Sequence, residues 1–495
     1  MKTAKTTINV VWFKRDLRLV DHAPLRKSVQ SPDTPTLLLT LIEPSLRSQG
    51  HLSQRHIDFY LAGATEIQQQ LGQMGHHFYI LQAEALQVFQ KLSEAFHIKT
   101  VFSYQESGDA ITYQRDKTIK TLFKHRGIQW DESPMGGVLR AKQSRRDWKA
   151  NWNRVMSRPL DLIDLENLNT QKLPNTFDSI LVTNPTLNLT PSFQKGGPSA
   201  AHLCLDSFLL DRSRRYRHSI SKPAASREGC SRLSPYLAWG NLSVRQVLQA
   251  VETHSQRFGP SRDLEAFKKR LQWRCHFIQK LENDESIEFQ NINPAFNQLN
   301  QEVNESLLKR WQQGETGYPL VDAGMRCLIE TGYVNFRMRA MLISFVTHHL
   351  WQPWQGPSNY LARLFLDYEP GIHFPQVQMQ AGTIGTNILR IYNPVKQSKE
   401  NDPTGRFIRR WVPELHALPL AYLHEPWKMT PMEQIGYDLK IGSKYPSPII
   451  QFENTGRFAR EQLWKIKNSD LAKSYTPDIL SRLTNASSES GRSKD

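Results

Sequence analysis

The spacing of apolar residues changes period partway along the chain, and that change limits the fold more than any other feature. Up to residue 135, short apolar runs alternate with helix-like stretches. Ile8 to Phe13, Leu37 to Ile42, Phe78 to Leu81 and Thr100 to Tyr104 read as strands; residues 53–72, Ala83 to Phe96 and Ile111 to His125 read as helices. Short apolar strands separated by amphipathic helices predict a parallel sheet covered on both faces, a doubly wound α/β domain. There is no GxGxxG turn, so the ordinary dinucleotide fingerprint is missing. From Ser234 onward the spacing is helical, over 235–250, 263–283, 303–313, 319–331, 336–350 and 357–367. The expected architecture is an N-terminal doubly wound parallel-sheet α/β domain (1–135), a connector (136–215), an all-α domain (216–475) and a polar tail (476–495). A chain of 495 residues is too long for one core, which fits this division. Within the connector, Arg140 to Arg158 with Trp148 and Trp152 reads as a helix lying on the surface, and Asn167 to Pro198 as irregular chain.

Composition narrows the class. A chain with 39% hydrophobic and 22% charged residues is globular, and no run approaches the ~20 apolar residues a membrane span needs. Met1 to Thr7 carries lysines without a following secretory segment, so a cytoplasmic protein with no membrane contact is expected. Cys204, Cys230, Cys275 and Cys327 are scattered with no CxxC pair, which argues against a disulfide framework or a metal site. A net charge of +16 calls for a polyanionic partner, with nucleic acid first. The runs Arg140 to Arg146, Arg212 to Arg217 and Lys396 to Arg410 either neutralise phosphates or form solvated faces. Twelve tryptophans could supply stacking platforms.

Four segments occur in a telling order. They are Val10-Val11-Trp12-Phe13-Lys14-Arg15-Asp16-Leu17-Arg18-Leu19; Ser231-Arg232-Leu233-Ser234-Pro235-Tyr236-Leu237-Ala238-Trp239-Gly240; Thr316-Gly317-Tyr318-Pro319-Leu320-Val321-Asp322-Ala323-Gly324-Met325-Arg326, with Thr331-Gly332-Tyr333 after it; and Arg390-Ile391-Tyr392-Asn393-Pro394 through Phe407-Ile408-Arg409 to Pro413-Glu414-Leu415. Together they cover nearly the whole chain and resemble the photolyase/cryptochrome family. The resemblance implies that the helical domain holds FAD in a U-shape. It also implies a blue-light-driven DNA photolyase that repairs UV pyrimidine dimers by electron transfer from reduced flavin. The alternative within the resemblance is a cryptochrome-type photoreceptor that binds FAD without repair. The implied partner is UV-damaged DNA, and the implied state is a monomer. An antenna pigment, folate or deazaflavin, is implied near Glu106 and Arg115-Asp116 of the α/β domain.

Carried over residue by residue, the resemblance assigns FAD binding to Tyr216, Ser231, Arg232, Leu233, Ser234, Arg274, Arg339, Asp367, Glu369 and His373. Ser231 and Ser234 either give the pyrophosphate hydroxyl donors beside helix-end amides or cap the helix starting at Pro235. Arg339 balances the negative charge of reduced flavin, with Asp367 orienting it; otherwise the two form a surface ion pair. His373 aligns with the residue facing flavin N5, where it could donate a hydrogen bond or proton, unless Pro370 and Pro375 turn the loop elsewhere.

The chain also departs from its resemblance. Of the family's three relay tryptophans, Val377 stands at the flavin-proximal position, Trp354 is kept, and the outermost falls near Gln301. Trp351, Tyr360 or Tyr392 could supply a substitute route. Around the lesion, Arg270, Trp273, Phe336, Ala340 and Met379 stand where relatives carry Glu, Trp, Asn, Met and Trp. Trp273 either stacks on a flipped base or packs between helices; Arg270 stabilises an anion or meets a phosphate. Gln376, Gln378 and Gln380 are expected around the pocket, where they could read base edges. The residues expected to act on the lesion are thus Trp273, Arg270, Met379, His373 and Trp354.

Overall fold

In the computed structural model, which describes residues 5–48, 50–140, 145, 147–188, 190 and 192–484, five parallel strands form one sheet. β1 (Thr7–Phe13), β2 (Thr36–Leu41), β3 (Phe78–Leu81), β4 (His97–Tyr104) and β5 (Gln129–Ser133) lie in the order β3-β2-β1-β4-β5. The chain starts in the middle, winds outward to β3, then returns to the other side. The direction of winding therefore reverses between the carboxyl ends of β1 and β4, where open α/β sheets bind ligands. Every residue of β2 is buried, and every residue of β1 except Thr7, because helices cover both faces. Trp12, Leu39, Phe89 and Phe123 fill one side. Phe13, Leu38, Phe59 and Phe78 fill the other, in one core with Trp239 and Leu271 of the helical domain. β5 was not expected: its sequence, QWDES, is too polar to read as a strand and survives as a half-buried edge.

Several helix boundaries differ from expectation for identifiable reasons. α1 (Gln54–Gln73) lies along the sheet as expected. The run 235–250 is not one helix but two, Ser234–Ala238 and Val244–Phe258. Between them Gly240, at φ +73°, brings the chain against β1's outgoing loop, where a Cβ would lie 2.2 Å from the carbonyl oxygen of Arg15. α2 (Arg262–Asn283) follows, then α3 (Phe336–Ser344), which runs into a single π-helical turn at Phe345–His349. α4 (Gln355–Leu364) stops before Asp367 rather than carrying it. α5 (Pro370–Ala381) replaces what its prolines suggested would be an altered loop. Pro370 sits at the first helical position, where no N–H is needed, and Pro375 forfeits only the bond to Gly371 O. Gly371 lets α5 close on α2, since a Cβ would lie 2.6 Å from Ile278 Cα.

The connector is more structured than it reads. Trp148 and Trp152 are buried, so the helix Trp148–Met156 is a core element and not a surface one. Pro198–Leu210 is also helical and sends Ala201, Leu205 and Phe208 into the core. At the other end, residues 476–483 belong to the helix Asp470–Leu483, with Thr484 as its C-cap, instead of a tail; the rest of the expected tail, 485–495, lies outside the described residues. Among the described residues no helix is long and apolar enough to cross a membrane.

Candidate active site

A cleft opens between α3, α4 and α5. It is lined by Phe336, Arg339, Ala340, Asp367, Glu369 and His373, among others. Its one strongly polar anchor is the pair expected from sequence. Arg339 Nη2 donates to both carboxylate oxygens of Asp367, at 2.9 and 2.8 Å, so the surface ion-pair reading falls away. Arg339 Nε donates to Val334 O at 3.1 Å, and the guanidinium lies 4.0 Å over the ring of Phe365. None of the hydrogen bonds among the described residues uses its Nη1, which leaves a fixed cationic donor for an anionic planar ligand.

His373 lines the same cleft, but with its chemistry constrained. Nε2 lies 2.9 Å from Ser358 O, which can only accept, so the proton is on Nε2. Burial pulls the ring pKa down to about 3, so the imidazole is neutral and Nδ1 carries a lone pair. The residue can therefore accept a hydrogen bond in the cleft; the donor role expected of it is taken by Ser358. Glu369 is held by Arg274 Nη2, which also donates to Leu237 O at 2.9 Å. Burial raises the Glu369 pKa, and Arg274 and Arg15 pull it back.

The remaining expected cofactor residues form a second group. Tyr216 is packed between Phe208 and Phe267, with ring centroids at 5.8 and 5.6 Å. At Ser231–Ser234 the capping alternative is not what forms. Leu233 is the N-cap of the short helix, with no side-chain cap bond, and Ser231 Oγ only accepts from Leu233 N at 3.4 Å. Arg232, at φ +59°, lies 3.7 Å over the ring of Tyr333 and donates to Gln194 Oε1. The two groups meet through the turn after Thr331: Arg232 stacks on Tyr333, and Arg339 binds the next carbonyl, Val334 O. These hydroxyls without a capping task lie outside the cleft's lining; with the cationic anchor they are the donor types a flavin dinucleotide needs, for its phosphates and for its ring.

A larger cavity, about 740 Å³ against about 40 Å³ for the cleft, lies between the domains at the point where the sheet's winding reverses. Lys14, Arg15, Tyr104, Glu106, Leu237 and Arg274 are among its walls. Size favours the larger cavity as a ligand site, whereas the fixed cationic donor lies in the cleft. Phe336, at the cleft's edge, is 43% exposed. Glu369 lines both spaces and is their common wall, whereas Asp367 and Tyr368 line the cleft. Glu106 lines the large cavity; Arg115 is instead spent on Glu43, Glu106 and Asp116.

Several lesion-side expectations need correction. Met379 points into a separate crevice with Phe296, Leu463 and Lys467. Gln376 and Gln380 line the cleft, but Gln378 faces away: its Oε1 accepts from Ile292 N at 2.7 Å, and its Nε2 donates to Ile287 O at 2.8 Å. Trp273 does not pack between helices; it is 50% exposed on α2, with the Arg270 guanidinium 5.7 Å over its ring. Trp354 is buried outside the cleft lining, its indole donating to Asn291 Oδ1 at 2.8 Å. Near Gln301, Trp351 Nε1 binds Asn300 O at 2.9 Å.

The basic runs divide as well. Arg140 pairs with Glu132 and Glu282, and Arg145 is buried against His276 and Leu483 O, so neither faces phosphates; residues 141–144 and 146 lie outside the described residues. Arg212 is spent on the carbonyls of Cys204, Cys230 and Ser231. Arg214, Arg217 and Arg410 remain exposed.

Comparison with known proteins bears on this arrangement. Residues 9–148 match the family described as DNA photolyase, and residues 267–465 match the FAD binding domain of DNA photolyase. A deoxyribodipyrimidine photo-lyase of Vibrio cholerae is 30% identical over 476 residues, 88% of this chain and 96% of that one. A cryptochrome DASH of Synechocystis is 26% identical over 501 residues, 92% of this chain and 97% of that one. The crystal structure of a class III photolyase from Agrobacterium tumefaciens superposes with a TM-score of 0.80 at 25% identity, covering 94% of this chain and 99% of that one. The cleft falls within the matched FAD binding domain.

Proposed function

The chain belongs to the photolyase/cryptochrome family, and from that premise we propose that it is an FAD-dependent, blue-light-driven deoxyribodipyrimidine photolyase. The observation that carries the reading is the Arg339–Asp367 pair, buried on its acidic side and set in a cleft of the FAD binding domain. FAD, reduced and excited by blue light, supplies the electron that splits a pyrimidine dimer. The chain's own residues do the rest. Asp367 fixes Arg339, which presents a cation to the ring; His373 offers a lone pair at Nδ1; Ser231, Ser234 and Tyr216 stand on the phosphate side; Arg274 and Glu369 close the inner wall. On the outer face Trp273 gives a flipped base a stacking partner, and Arg270 gives an anion or phosphate a counter-charge. The net charge of +16 and the exposed Arg214, Arg217 and Arg410 support DNA as the partner. UV-damaged DNA as substrate, a monomeric state, a cytoplasmic location and an antenna pigment in the interdomain cavity complete the proposal.

Arg270 favours a second reading. A cation stands where relatives that repair dimers carry a carboxylate, as expected of a photoreceptor that no longer repairs. To decide, the flavin is reduced chemically and the protein mixed with UV-damaged single- and double-stranded DNA, in blue light and in darkness. Cyclobutane and (6-4) lesions are scored separately. Light-dependent loss of either lesion is the expected result. Retention of both, with flavin bound and reduced, would transfer the assignment to the photoreceptor.

A further inference from the structure

The stretch that carries Asp367 is gripped from outside the helical domain. Ser53 Oγ donates to Arg363 O at 2.7 Å, Arg55 Nη1 to Leu364 O at 2.9 Å and His56 Nε2 to Phe365 O at 2.7 Å. Trp239 Nε1 donates to Leu366 O at 2.9 Å, and Arg15 Nη1 to Tyr368 O at 3.0 Å. Every carbonyl from 363 to 368 except that of Asp367 itself thus accepts a side-chain donor, and all the donors but Trp239 come from the α/β domain. Carbonyls at the end of a helix such as α4 have no intrahelical partner and ordinarily turn to water. Here rigid donors replace the water and turn a fraying end into a fixed post.

The donors are themselves immobilised. Arg15 lies 4.6 Å over the indole of Trp239, the ring that binds Leu366 O, and its backbone is pressed against Gly240. His56 is fully buried, and burial pulls its pKa down to about 4, so the ring is neutral. Ser53 N donates to its Nδ1 at 3.0 Å, which puts the proton on Nε2, the tautomer Phe365 O requires.

We propose that Arg15 and His56 are positioning residues for the cofactor site. By fixing the carbonyls on either side of Asp367 they hold its carboxylate, and through it the Arg339 guanidinium, where the flavin ring meets them. The inference rests on the FAD reading above. It differs from mere adhesion between domains in what it changes: adhesion alters stability, whereas misplacing a charge by a fraction of an ångström alters the electrostatics of the bound ring.

The test uses the full-length protein loaded with FAD and two readouts besides activity, the FAD dissociation constant and the midpoint potential of the bound flavin. Arg15→Met and His56→Leu are each expected to weaken FAD about tenfold and to lower the potential. A tenfold preferential loss of reduced over oxidised flavin corresponds to about 30 mV for a two-electron couple. His56→Gln keeps an N–H for Phe365 O and is expected to restore both values. Arg245→Met removes an interdomain ion pair to Asp21 and Asp161, away from this stretch; it is expected to lower the melting temperature and leave the potential alone. If His56→Leu does not fold, Arg15→Met and Arg15→Lys carry the test, the second with a smaller shift. Parental affinity and potential in the Arg15 variants would overturn the inference, as would an equal shift in Arg245→Met. A parent that takes up no FAD would instead bring down the FAD reading first, and this inference with it.

Discussion

The cleft and the interdomain cavity share one wall and are built on opposite principles. In the cleft the charged pair is fixed several times over: Arg339 by Asp367, Val334 O and the face of Phe365, and Asp367 by Arg339 and the donors that grip its neighbours. The cavity is roomy, and charges around it pair with one another, as Arg245 does with Asp21 and Asp161. A narrow site with over-determined charges recognises by position, whereas a roomy one whose charges are already paired recognises by shape and volume.

The largest effect is expected at the loop on which both regions depend. Gly240→Ala places a methyl group 2.2 Å from Arg15 O at a backbone angle that L residues avoid. It is expected to cost about 3 kcal/mol, read from urea unfolding, with loss of flavin. A variant of parental stability would mean the two domains are not pressed together there. Asp367→Ala strikes the cleft alone. It strands the Arg339 cation and is expected to weaken FAD at least a hundredfold, about 2.7 kcal/mol, so the protein purifies with little or no yellow colour. Full retention of colour would remove the cleft as the flavin site.

Acid should also distinguish the regions. His373 and His56 belong to the cleft and its support, and their pKa values are lowered to about 3 and about 4. The unfolded chain takes up these protons near 6.5, and the folded one refuses them. Their stabilising share is therefore complete above pH 6.5 and is lost as the pH falls, by about 2 kcal/mol each at pH 5. Urea midpoints measured between pH 7.5 and 5 should fall, and less steeply in His373→Asn; equal slopes would show that His373 is not the titrating group. The mildest effect is expected at the shared wall. Glu369→Gln removes the charge opposite Arg274 without removing its bulk and is expected to weaken FAD about tenfold, 1.4 kcal/mol. Unchanged affinity would assign Glu369 to the cavity alone.

Much of this was legible in the sequence. Apolar periodicity specified four of the five strands and the change to helices, because burial on both faces writes a continuous apolar run. It missed β5, whose exposed edge carries no such signature, and α5, whose prolines resemble breaks although one of them starts the helix. The motifs led to Arg339, Asp367, Glu369 and His373, which the fold brings together. They misplaced Met379 and Gln378, since one residue of helical advance swings a side chain 100° and no alignment of one chain resolves that. The donors Ser53, Arg55 and His56 could not have been found at all. What they bind is backbone, whose carbonyls carry no residue identity to match.

That grip has a consequence in time as well as in space. Arg15 and the carbonyl it holds are separated by 353 positions along the chain. At a synthesis rate of about 5–20 residues per second, roughly 20 to 70 seconds pass between their appearances at the ribosome. All five strands, and the donors Arg15, Ser53, Arg55 and His56, are made before the stretch around Asp367 exists. The donors are therefore already on hand, in chain order, when the carbonyls they grip emerge.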